Sequence, residues 1–242
     1  MKRNNNLESL DILAFGAHPD DVEIGMAGTL AKYSAMGKRV GICNLTRAEL
    51  SSNGTVETRQ DEAEEAARHM GLDVRVQLEL PDRGLFPIQP EDMAKVTAVI
   101  RKYKPTIVFA PGSPDRHPDH IHAGNIVEEA VFNARIYKYQ CDEELSAHKV
   151  RDLYTYYING VSQPDFVVDI TEWQEQKRKA LSSYRSQFEQ LAGSVVTPLN
   201  AEYIKSVEAR DKVFGSQAGV KAAEGFQTKK PFVVTNLLEG TL

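Results

Sequence analysis

The chain has 242 residues, 41% hydrophobic and 26% charged, which fits one large α/β domain with a sizeable core. Its formal net charge of −5 argues against a nucleic-acid partner, which would call for a basic surface to displace counterions. Residues 1–6 are basic and then polar, the apolar run over 12–17 is too short for a signal sequence, and no stretch approaches the ~20 apolar residues of a membrane span; a soluble, cytoplasmic chain with no membrane partner is expected.

Residues 10–17 read as a buried strand, with Ile12, Leu13, Ala14 and Phe15 in one apolar run that ends at glycine. A helical pattern follows over 22–36, with Ile24, Ala27, Leu30, Ala31 and Ser34 at helical spacing and Gly37 as the stop. Residues 39–45 form a second strand, 51–54 a turn-rich loop, and 56–70 a helix rich in alanine and glutamate that Gly71 closes. Residues 74–80 alternate as a third strand. Pro90 takes the first turn of a helix to about residue 103. Residues 106–110 are a fourth strand, and a helix from Pro118 runs to about residue 137. Cys43 lies in the second strand and Cys141 in a polar stretch; no disulfide framework is expected, and a reducing compartment fits.

This alternation predicts an α/β fold, a single doubly wound (Rossmann-like), mostly parallel sheet with helices on both faces. The C-terminal part is less regular. Residues 153–158 and 166–170 look like strands, Thr171 can cap a helix over 172–188, and 200–214 look like a further helix. With no low-complexity linker or repeat, one domain over 1–242 is expected.

Two clusters carry the chemistry. His18-Pro19-Asp20-Asp21 directly follows the first strand, and His117-Pro118-Asp119-His120 follows the fourth. In a 3-2-1-4 strand order these strands are neighbours at the point where the winding reverses, so both clusters face one crevice. Imidazole nitrogens and carboxylates suit a catalytic Zn²⁺ site, with Fe²⁺ as the other plausible ion. The six acid-base groups exceed the three ligands one metal needs, and the surplus favours an enzyme over a structural site. Either motif alone is commonly a helix cap with a solvated histidine; both at strand ends of one sheet are harder to explain that way. A metal-dependent phosphoesterase and a non-catalytic sugar-binding module are the competing classes.

The segment Ala17-His18-Pro19-Asp20-Asp21-Val22-Glu23, paired with His117-Pro118-Asp119-His120, resembles the LmbE-like zinc deacetylases, relatives of the GlcNAc-phosphatidylinositol de-N-acetylases. Residues 45–55, Pro81-Asp82-Arg83-Gly84-Leu85 and Ala223-Glu224-Gly225-Phe226 are most similar to the N-acetylglucosaminyl malate deacetylases of bacillithiol biosynthesis. The resemblance implies that His18, Asp21 and His120 bind the metal and that Asp20 is the general base. It implies too that His117 sits near the oxyanion, with Asp119 orienting it. The expected substrate is a small N-acetyl amino sugar conjugate, with a chito-oligosaccharide, an inositol conjugate or an antibiotic precursor as alternatives. A homo-oligomer is also implied. For the far end of the substrate, Arg59 is the first choice to read malate's carboxylates, with Arg83, Arg116 and Asn53 as further contacts.

Overall fold

The computed structural model describes residues 9–141 and 145–231; residues 1–6, read above as basic and then polar, lie outside the described residues. The apolar run at its start makes β1 (Ile12–Gly16), buried at every position. A strand covered on both faces must be apolar throughout, and β1 is central. It pairs in parallel with β2 (Val40–Asn44) on one side and β4 (Ile107–Pro111) on the other. Beyond these, β3 (Val74–Gln77) joins β2 and β5 (Asp152–Tyr156) joins β4, both parallel. The expected 3-2-1-4 order is present, and the winding reverses between β1 and β4.

The crossovers are α1 (Asp21–Ala35), α2 (Val56–Met70), α3 (Pro90–Tyr103) and α4 (Pro118–Ala134). Strand alternation divides β1 between two cores. Ile12 and Ala14 pack with Val22 and Leu30 of α1 and Ala63 of α2. Leu13 and Phe15 pack on the opposite face with Val96 and Ile100 of α3 and Val127 of α4.

The C-terminal part departs from expectation in three places. The helix expected over 172–188 is a 3₁₀ turn over Thr171–Trp173, then α5 (Gln174–Ser183) and α6 (Arg185–Phe188), parted at Tyr184 with ψ 60°. The break lets Tyr184 turn inward, fully buried, with its hydroxyl donating to Glu23 Oε1 at 2.7 Å. Thr171 does not cap; its own N–H donates to Asp169 Oδ1 at 2.9 Å. The next helix starts later and runs longer, as α7 (Tyr203–Ala218). A strand not anticipated, β7 (Ala223–Thr228), runs antiparallel between β5 and β6 (Phe166–Asp169), giving the order β3-β2-β1-β4-β5-β7-β6.

The start of α1 is seated closely on β5. The Tyr156 hydroxyl donates to Phe15 O at 2.7 Å, and a Cβ on Gly25 would lie 2.1 Å from the Tyr156 ring. Only glycine permits this approach, which places the first turn of α1 against the end of β1. Gly25→Ala is expected to lower stability by about 1–3 kcal/mol through overpacking. An unshifted urea midpoint would contradict that seating.

Candidate active site

Two strand ends and one helix start meet at the carboxyl edge of the sheet. His18, Asp20 and Asp21 follow β1; Asp82 and Arg83 follow β3; His117 is the N-cap of α4, with Pro118 in its first turn. They surround a cavity of about 440 Å³, a volume usual for a small-molecule site. Its floor is polar, and Ala48, Leu50, Pro198 and Leu199 make part of its wall.

Asp21 is the centre of the floor. Its Oδ1 lies 3.1 Å from His120 Nε2, and its Oδ2 lies 3.5 Å from His18 Nδ1. The other ring nitrogens are held from outside. His18 Nε2 meets Asp82 Oδ1 at 3.1 Å, and His120 Nδ1 meets Asp115 Oδ1 at 3.0 Å. Asp115 is itself fixed: it accepts from His117 N–H at 2.8 Å, and from Asn159 N–H and Nδ2 at 3.0 Å each.

The charges follow from this packing. Burial works against ionisation of Asp21, but the His120 and His18 rings hold its carboxyl well below the usual range. Burial likewise opposes a charge on His18 and His120. The Asp119, Asp21 and Asp82 carboxylates nevertheless raise His18 well above its ordinary value. Asp21 and Asp115 lift His120 to about 9. Asp115 and Asp119 sit at about 2 despite partial burial, through His120 and His18 respectively. The pocket thus demands positive charge, which the two imidazoles meet by holding protons. A divalent ion seated between Asp21 and the two nitrogens facing it would supply that charge in their place. Two imidazoles and a carboxylate are a catalytic zinc donor set, and metal-bound histidines commonly give their outer N–H to a carboxylate. The residues present fit such an ion. His117 is close by, its ring 4.9 Å from His18 and 4.7 Å from His120, and donor atoms of the three histidines lie within 4.8 Å of one another.

Asp20 stands beside this cluster. It occupies the left-handed region at φ 112°, a strained conformation for a non-glycine residue. Burial pushes its carboxyl up to about 7, against the pull of Arg59. Its Oδ2 has an ion-pair contact of 2.8 Å with Arg59 Nη2 but no aligned hydrogen bond.

The four expected substrate residues, Arg59, Asn53, Arg83 and Arg116, all line this cavity, and they differ in how far their polar groups are already engaged. Arg59 is 5% exposed; its Nε donates to Pro19 O at 2.9 Å, its Nη1 to Ser51 Oγ at 3.3 Å, and its guanidinium lies over the Tyr184 ring. It clamps the Pro19–Asp20 turn from below instead of presenting an open fork. Asn53 lines the cavity, but its amide is spent on Val195, accepting from N–H at 2.8 Å and donating to O at 2.9 Å. Arg83 is half-exposed and holds Asp119 through N–H at 2.7 Å and Nη1 at 3.1 Å. Arg116 is exposed at the cavity wall, with no hydrogen bond or ion pair among the described residues.

Asp119 meets His117 through its backbone and not through its carboxylate. The Asp119 carboxylate faces Arg83 and His18, the latter at 3.7 Å. It is the Asp119 backbone N–H that donates to His117 Nδ1, at 3.2 Å. His117 therefore carries its proton on Nε2 when neutral. Burial and the neighbouring His18 and His120 charges lower its pKa, which favours that neutral form. Asp82, Asp115 and Asn159 were not singled out from sequence, although Asp82 lies in the quoted stretch after the third strand and Asp115 stands two residues before His117.

Residues 13–131, which include both histidine motifs, match the PIG-L family, described as GlcNAc-PI de-N-acetylase. The chain is 36% identical to the conserved protein TT1542 of Thermus thermophilus, over 94% of this chain and 98% of that one, with a TM-score of 0.84. The chain belongs to the PIG-L, or LmbE-like, deacetylase family. Within PIG-L proteins it is 28% identical to the diacetylchitobiose deacetylase of Thermococcus kodakarensis, over 89% of this chain and 82% of that one. The N,N'-diacetylchitobiose deacetylase of Pyrococcus horikoshii superimposes with a TM-score of 0.78, at 28% identity over 89% of this chain and 82% of that one. Among the described residues no helix is long and apolar enough to cross a membrane.

Removing the carboxylate that holds His120 from outside tests the cradle. Asp115→Ala is expected to weaken divalent-metal binding by about 10–100-fold, read by competition with a chromophoric chelator. Unchanged affinity would contradict the role given to Asp115.

Proposed function

We propose that the protein is a metal-dependent amidase that hydrolyses the acetamide of an N-acetylglucosamine conjugate, releasing acetate and the free amine. The observation that carries this reading is the pair of histidines turned toward Asp21 and fixed from outside by Asp82 and Asp115, with Asp20 and His117 beside them. His18, Asp21 and His120 would hold a Zn²⁺ or Fe²⁺ ion, which would supply Lewis acidity toward the amide carbonyl and toward water. The Asp20 carboxylate takes one proton from the attacking water, a transfer its raised pKa suits. His117, through Nε2–H, donates to the oxygen on which negative charge develops. Asp20 then gives its proton to the leaving nitrogen. Arg59 keeps Asp20 aimed, and its charge limits how far burial raises that carboxyl.

For the rest of the substrate, Arg116 at the cavity wall has no hydrogen bond or ion pair among the described residues and can pair with an anion, which favours an acidic aglycone such as malate. A chito-oligosaccharide is the second reading, favoured by the similarity to the two diacetylchitobiose deacetylases. Acetate release from N-acetylglucosaminyl malate, diacetylchitobiose, an inositol conjugate and free N-acetylglucosamine separates these readings. Preference for the malate conjugate, lost in Arg116→Ala, supports the first; preference for diacetylchitobiose overturns it.

Asp20→Asn is expected to lower kcat by about 10²–10⁴ while metal content stays intact. Because a base works only when deprotonated, the wild-type rate falls on the acid side, with a limb at or below about 7 that the variant lacks. Wild-type activity in metal-loaded Asp20→Asn would remove Asp20 from this role.

A further inference from the structure

The helix that brings Asp21 into the site is broken just past its first turn. Met26 sits at φ −154°, ψ 24°, outside helical space. In an unbroken helix Gly28 N–H would donate to Ile24 O. Here Gly28 N–H donates to Glu224 Oε1 at 3.0 Å, and Thr29 N–H to Glu224 Oε2 at 2.7 Å. Ile24 O accepts instead from Arg210 Nη2 at 2.7 Å. A carboxylate and a guanidinium are thus inserted into the ladder, one on each side of a lost bond.

The two inserted groups belong to one buried network. Lys177 Nζ of α5 lies 2.8 Å from Glu224 Oε1 and 2.7 Å from Asp211 Oδ2. Asp211 is next to Arg210 on α7, with Oδ1 3.9 Å from its Nε. All four side chains are buried, two of each sign. Arg210 Nη1 also donates to Ile158 O at 2.7 Å, one residue before the Asn159 that holds Asp115.

Stability alone does not account for this arrangement. Burying four charges costs desolvation, and apolar residues packed on a straight helix commonly serve as well. What the break provides is direction: the turn from Asp20 to Gly25 takes its own axis, independent of the rest of α1. We propose that Glu224 and Arg210, braced by Lys177 and Asp211, are positioning residues whose clamp on the broken α1 aims Asp20 and Asp21 at the metal site. The proposal rests on reading that cluster as a metal centre.

The test compares Glu224→Gln and the milder Arg210→Lys with Arg101→Met, using intact protein. Arg101 is a buried guanidinium elsewhere, donating to Ala134 O at 3.1 Å and Ile136 O at 2.6 Å at the far end of α4. Three readouts are taken: Zn²⁺ affinity by chelator competition, amide exchange over residues 18–29, and kcat with KM. The expected result for Glu224→Gln is Zn²⁺ binding weaker by about 10-fold or more, faster exchange over 20–25 as well as at 28–29, and a lower kcat with KM held within about twofold. Arg210→Lys shifts the same quantities less, while Arg101→Met lowers Tm and moves none of them. If both clamp variants lower Tm but leave Zn²⁺ affinity and exchange over 20–25 unchanged, the clamp is only structural and the proposal fails. If the shifts in Zn²⁺ affinity and in exchange occur in a protein that deacetylates no acetamido sugar, the clamp stands and the substrate reading falls.

Discussion

Residues 12–14 of β1 lie beside residues 107–109 of β4 in parallel register, so both strands deliver their chains to the same edge of the sheet. Everything catalytic depends on that pairing. A parallel neighbour places two segments far apart in sequence at one crevice, and the reversal of winding between them keeps helices from covering it. The first segment contributes Asp20 and Asp21 at the start of α1. The second contributes His117 and His120 at the start of α4. Gly25 on Tyr156 and the Arg210–Glu224 clamp then fix how α1 leaves the edge.

The site is built in shells of alternating charge. Asp21 is innermost, flanked by His18 and His120, which are flanked in turn by Asp82 and Asp115. Each outer carboxylate fixes which ring nitrogen faces inward, and those inward nitrogens are the ones the proposed metal ion would use. Asn159 and Tyr203 extend the support, the Tyr203 hydroxyl donating to Asn159 Oδ1 at 2.9 Å. Asp20 stands outside this alternation. It is buried against one cation through an imperfect contact, which is why its carboxyl is the one pushed up to about 7.

The sheet order from β3 to β4 and the two histidine motifs were legible because their signals are local: apolar runs ending at turns, and titratable residues directly after them. Asp82 and Asp115 were not, since each acts by reaching across space to a ring nitrogen. Arg59 lines the cavity, but its engagement was equally hidden. In sequence it looks like an available cation beside a loop, yet its neighbours Pro19, Asp20 and Ser51 consume the guanidinium. The strand β7 was missed because Ala-Glu-Gly-Phe-Gln-Thr lacks β-branched residues apart from its last, and its glutamate is used inward. The break in α1 was hidden too, because Ile24, Ala27 and Leu30 keep helical spacing across Met26.

The central claim is that acetamide hydrolysis at this cluster requires one divalent ion per chain. Chelator-stripped protein should be titrated with Zn²⁺ while acetate release from the preferred conjugate is followed. The expected result is no release without metal, recovery that saturates at one ion per chain, and neither binding nor recovery in His120→Ala. Full release from metal-free protein, or saturation only at two ions per chain, would contradict the claim.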